Sequence, residues 1–83
     1  MSASADELRR AIDALRDGQW DTAHEVAQAT DTPHGHWLHG IVHAIEGDEN
    51  NARYWYARAG RPFPGMEQVE VDILALRAAL DVH

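Results

Sequence analysis

The chain repeats itself. The stretch GQWDTA at residues 18–23 lies over GDENNA at residues 47–52, an offset of 29. The same offset places Leu8 over Trp37, Ala11 over Gly40, Ile12 over Ile41 and Val26 over Trp55. Self-similarity at such a period means one supersecondary unit used twice, each copy burying its apolar face against its neighbour. Local signals make that unit a helix pair. Ser4 and Glu7 have capping-box spacing, and Leu8, Ala11, Ile12 and Leu15 then recur at i, i+3, i+4 and i+7. Gly18 closes that helix, and a second is expected over 20–29, with Ala23, Val26, Ala27 and Thr30 at the same spacing. Thr32-Pro33 reads as the N-cap and first residue of a third helix running to 46. Gly47-Asp48 breaks and restarts the chain. A fourth helix over 49–59 carries Ala52, Trp55, Tyr56 and Ala59 on one side, and Gly60 stops it. Arg61-Pro62-Phe63-Pro64-Gly65 is a rigid turn, and 66–82 is a fifth helix. The expected fold is all-α and a single domain over 1–83, with hairpins at 4–30 and 32–60 and a C-terminal helix at 66–82.

The second unit carries a more specific pattern. In WLHGIVHAIEGDENNARYWYARAG, small Gly40, the Gly47-Asp48 turn, small Ala52, aromatic Tyr56 and small Ala59 resemble a tetratricopeptide repeat or its Sel1-like relative. Small residues let the paired helices approach, and the aromatic ring fills the space beside them. The first unit shares the pattern at Ala11, Gly18, Ala23 and Ala27. The resemblance implies an α-α superhelix and a protein-interaction or scaffold module. The chain also resembles a group of short proteins through His24, Gln28, His39, His43, Glu46, Asp48 and Asn51, which implies a shape and no chemistry.

Composition narrows the partners. The chain has 83 residues, so folding buries only about 60–65% of its extended-chain surface and the core is thin. Its formal charge is −7, and all seven basic residues are arginines. A field of that sign repels phosphate backbones and anionic lipid, so neither nucleic acid nor a membrane surface is expected as a partner. Arg53, Arg58 and Arg61 form a local basic cluster that reads as a solvated helix face and end. No apolar run approaches the roughly 18 residues that span a bilayer. The start MSASADELRR lacks the basic and apolar segments of a secretion signal. With no cysteine there is neither a disulfide framework nor a thiolate metal site. A cytoplasmic location is expected.

The third helix has two sides. At 100° per residue, Trp37, Ile41 and Ile45 cluster within about 80° of arc, with Leu38 and Ala44 flanking them. His36, His39, His43 and Glu46 fall opposite, while His34 and His36 belong to the start of the helix and read as surface residues. In the repeat frame that the resemblance supplies, the side with His39 and His43 faces helix neighbours, and the preceding helix offers His24 and Gln28. His24, Gln28, His39, His43 and Glu46 thus form a candidate junction cluster. The apolar side (Leu8, Ile12 and Leu15 with Trp37, Ile41 and Ile45) then lines a concave groove. Val69, Ile73, Leu76 and Leu80 give the fifth helix a narrow apolar seam that suits a cap over this groove, while Val71 and Leu74 on its other side suit a homodimer contact. Trp20, Trp37 and Trp55 read as core or groove fillers.

Three readings of the histidines compete. They are neutral imidazoles in a hydrogen-bonded seam with Gln28, Asn51 or backbone groups, a metal site, or a pH-responsive surface. The i, i+4 spacing of His39 and His43 is the one by which two imidazoles reach a single zinc or similar divalent ion, with His24 or Glu46 completing the set. Residue 40 is glycine, so the zinc-protease signature is absent. There is no phosphate-cradling glycine loop and no nucleophile elbow, and Asp48-Glu49 sits at a helix start where the dipole accounts for it. The leading expectation is an interaction module that binds another protein or itself, without a cofactor. The alternative is a histidine-dependent metal-binding protein or minor hydrolase.

Overall fold

A computed structural model describes residues 4–81. Within them the chain forms α1 (Ala5–Arg16), α2 (Trp20–Gln28), α3 (Pro33–Ile45), α4 (Glu49–Arg58), a single 3-10 turn (Met66–Gln68) and α5 (Val69–Leu80), with no strand. The fold is all-α. None of these helices is long and apolar enough to cross a membrane. The fifth helix, expected from 66, winds as a 3-10 turn over Met66–Gln68 and becomes α-helical at Val69, where its apolar seam begins. Val82 lies outside the described residues.

The helix ends follow from their capping chemistry. The Glu7 backbone N–H donates to Ser4 Oγ at 3.2 Å, and the Ser4 N–H reaches back to Glu7 Oε1 at 3.4 Å. The Gly35 N–H donates to Thr32 Oγ1 at 3.1 Å, with Pro33 at the first helical position. The two hairpin turns are equivalent in the way the offset requires. Gly18 has φ +84° and Gly47 φ +85°, the left-handed conformation in which a side chain is strained. Each turn closes with the same pair of hydrogen bonds: Gln19 N–H to the Ala14 carbonyl and Gly18 to Leu15, then Asp48 to His43 and Gly47 to Ala44.

Burial obeys the same register. Leu8 and Trp37, Ile12 and Ile41, and Ala23 and Ala52 are buried at positions 29 apart. Inside the second hairpin the helices approach closely. A Cβ built on Gly40 would lie 2.6 Å from Tyr56 Cδ2 and 3.1 Å from the Ala52 carbonyl oxygen, so only glycine fits there.

Helix α5 packs across α3 and α1. Val69, Ile73, Leu76 and Leu80 are buried, and so are Leu8, Ile12, Trp37 and Ile41 beneath them. The groove is therefore filled by the chain's own C-terminal helix, and only Ile45 of the named groove residues keeps partial exposure. Polar contacts fix the angle of this cap. Asp72 Oδ2 accepts from Trp37 Nε1 at 2.7 Å and from Tyr56 Oη at 2.5 Å, so one carboxylate ties α5 to both α3 and α4. Arg9 donates to Asp81 and to the Leu80 carbonyl, and Arg77 pairs with Asp13, which ties α1 to the C-terminal end of α5.

Two surface expectations change. Trp20 is no core residue: it is 44% exposed at the start of α2. The basic cluster is not simply solvated either. The Arg53 guanidinium lies 4.8 Å from the Phe63 ring centroid, Arg58 lies 5.5 Å from that of Trp55, and Arg61 lies 3.5 Å from that of Trp37. Each cation rests on a π face and covers apolar surface with its stem.

Candidate metal centre

The junction between the hairpins is built by α2 and α3. Thr30, buried at the end of α2, abuts Gly35 in the first turn of α3 and donates from Oγ1 to the Val26 carbonyl at 2.6 Å. With the two helices held there, His24 on α2 comes level with His39 and His43, one turn apart on α3. The ring centroids are 4.8 Å apart for His24–His39, 5.2 Å for His24–His43 and 4.9 Å for His39–His43. His39 and His43 stack nearly parallel at 15°, and His24 stands edge-on to both. One nitrogen from each ring can be chosen so that all three lie within 4.8 Å of one another.

The fourth wall is aromatic. Trp55 on α4 stacks on His39 at 3.9 Å and 14°, and on His36 at 5.3 Å. His39 is thus 4% exposed, whereas His24 and His43 keep intermediate exposure. His24 Nε2 and His39 Nε2 lie 3.0 Å apart. One of them donates and the other accepts, so a single proton sits between the rings. His39 Nδ1 is buried and has no hydrogen-bond partner. Burial, and then the charge that His24, His43 and His36 would carry, lower the His39 pKa from 6.5 to about 4. Its ring is accordingly neutral at physiological pH, the state in which imidazole binds metal.

The other expected site residues divide. Glu46 Oε1 lies 3.6 Å from His43 Nδ1, so its carboxylate borders the cluster on the His43 side. Gln28 stays outside: its side chain is exposed, and among the described residues no hydrogen bond joins it to the histidines. Asn51 is also elsewhere, donating to Asp48 at 2.6 Å, and this bond holds the Asp48 carboxyl below its usual pKa. His36 is not a free surface residue. Its Nε2 lies 3.0 Å from Asp31 Oδ1 while its Nδ1 is buried without a partner.

Three imidazoles suit zinc, copper or nickel and do not suit calcium or magnesium, which take oxygen ligands. Around an ion bonded at about 2.1 Å, tetrahedral ligand atoms lie about 3.4 Å apart. The His24–His39 pair, at 3.0 Å, is already near that spacing, and the remaining separations, up to 4.8 Å, would have to shorten for all three to share one ion. Three protein ligands leave a fourth position to solvent. A cleft elsewhere on the molecule is lined by Leu15, Trp20, Ile45 and Leu74 among others, and no histidine borders it.

Two further contributors differ in how far the sequence shows them. Trp55 closes the site through the packing of α4, which helix phase alone does not give. Asp72 left a readable mark, a carboxylate beside Val69, Ile73 and Leu76 on the buried face of α5, where it requires donors. Comparison of the chain with family models, with curated proteins and with solved structures finds no match.

Proposed function

We propose that this protein binds one late first-row divalent metal ion, with zinc the reference case, through His24, His39 and His43. The observation that carries the proposal is the convergence of three imidazoles from two helices, all donor atoms within 4.8 Å. The neutrality of His39 and the carboxylate beside His43 Nδ1 support it. The test is binding of zinc, or of cobalt as a visible probe, by the full chain. One equivalent per chain is expected, with a tetrahedral cobalt spectrum. His24→Ala and His43→Ala should each weaken binding by more than the ~10–100-fold that loss of an outer-shell partner costs. His34→Ala is the control for stray binding and should change nothing. Sub-stoichiometric metal, or affinity indifferent to His24 and His43, would sink the proposal.

A second reading is a tetratricopeptide-like interaction module in the cytoplasm. The repeated turn geometry at Gly18 and Gly47 and the lodging of Gly40 against Tyr56 favour it. Since α5 fills the groove, this reading excludes peptide capture there and moves recognition to the outer surface. Its test is exchange protection: α5 amides should stay protected in the free protein, and an open groove would refute the capped form.

A further inference from the structure

Helix α5 is apolar on two sides. Val69, Ile73, Leu76 and Leu80 are buried, while Val71, Leu74, Ala75 and Ala78 are exposed at i, i+3, i+4 and i+7. An outward face is ordinarily polar; here Val71 is 61% exposed and Leu74 58%. Ala75 and Ala78 allow a second helix to approach closely. Beside the stripe a cleft of about 690 Å3 opens between the α1–α2 turn and α5, with exposed Trp20 in its wall.

The charges say what covers it. Arg9, Arg53 and Arg77 are ion-paired, Arg58 and Arg61 lie over rings, and of the remaining two, Arg10 and Arg16, only Arg16 borders the cleft. Arg16 and Glu70 both line the cleft, and among the described residues neither has an ion-pair partner. Their positions in the last turn of α1 and the first turn of α5 account for the sign of each through the helix dipole. The dipole does not account for an unpaired cation and an unpaired anion flanking one apolar cleft. A two-fold axis through the cleft does. Such an axis would set Arg16 of each copy against Glu70 of the other and Leu74 against the second copy's Trp20, as a self-complementary interface requires. The patch is neutral although the chain carries −7, so two copies meet there without the repulsion their net charge imposes elsewhere. From this we infer that the protein forms a two-fold homodimer through the outer face of α5 and this cleft.

Sedimentation equilibrium of the full chain in chelator, from about 1 to 500 μM, tests the inference apart from any metal-driven association. The expected mass is twice the 9.3 kDa of one chain. Leu74→Glu should be monomeric with unchanged helical circular dichroism, because Leu74 is exposed in the single chain. Arg16→Glu and Glu70→Arg should each weaken the dimer at least ~10-fold, and their equimolar mixture should recover it, since the mixed pair rebuilds both ion pairs. A wild type monomeric throughout, a dimeric Leu74→Glu, or a mixture that stays dissociated would each overturn it.

Discussion

His39 is where burial and charge meet. A pKa near 4 in the folded chain against 6.5 unfolded means that, between those values, the unfolded state holds a proton the folded state refuses. Stability is therefore whole above about pH 6.5 and falls as pH drops toward 4, by at most about 3 kcal/mol from this group. Urea unfolding of the wild type and His39→Phe at several pH values isolates the effect. Phenylalanine keeps the stack on Trp55 and does not titrate, so the difference between the two proteins should change within this window and flatten outside it. Parallel curves would refute the assignment. Gly40 makes the opposite kind of demand, steric and independent of pH. Gly40→Ala drives a methyl to 2.6 Å from the Tyr56 ring, and the repacking should cost about 1–3 kcal/mol in the same assay.

At the scale of the element, α5 is held by one carboxylate as well as by apolar burial. Asp72→Ala strands Trp37 Nε1 and Tyr56 Oη, on side chains 2% and 1% exposed, and each orphaned donor should cost about 1–3 kcal/mol. Burial, and then the bond to Asp72, push the Tyr56 phenol up, so it remains a donor at any ordinary pH. Asp72→Asn keeps an acceptor oxygen and should lose clearly less; equal losses would show that charge, and not hydrogen bonding, holds the cap. This contact also marks how far the sequence could be read. Period, capping boxes and glycines give each helix and its buried face, because those signals act within a few residues. The seam Val69-Ile73-Leu76-Leu80 announces that α5 packs on something, and the offset of 29 suggests what. Helix phase placed His39 and His43 together and, with the repeat, set His24 opposite. It could not show that Trp55 would seal His39, that His36 would lie under the same ring, or that Gln28 would stay in solvent. Those outcomes depend on the angles between helices, which many distant contacts set jointly. Trp20 differs from expectation for a related reason: a tryptophan in a helix pattern promises burial, and here its neighbours in the single chain cover it only in part, leaving it 44% exposed.

For the whole molecule, the histidines matter because of what they join. One ligand lies on α2 and two on α3, so an ion held by all three spans the boundary between the hairpins. Unfolding separates α2 from α3 and destroys the site, while His39 and His43 remain neighbours in any stretch of α3 that stays helical. Binding that requires His24 must therefore appear as global stability. At free zinc 100-fold above the dissociation constant the gain is about 2.7 kcal/mol, which for a domain of this size raises the melting temperature by about 10–20 °C. Thermal unfolding with zinc and with chelator should show that rise in the wild type. His24→Ala, which keeps both histidines of α3, should show little of it at the same zinc concentration. If His24→Ala gains as much as the wild type, α3 alone holds the ion and the junction is not stapled. If neither gains, zinc does not bind the folded chain in preference to the unfolded one, and the three rings serve as packing around the hydrogen bond between His24 and His39.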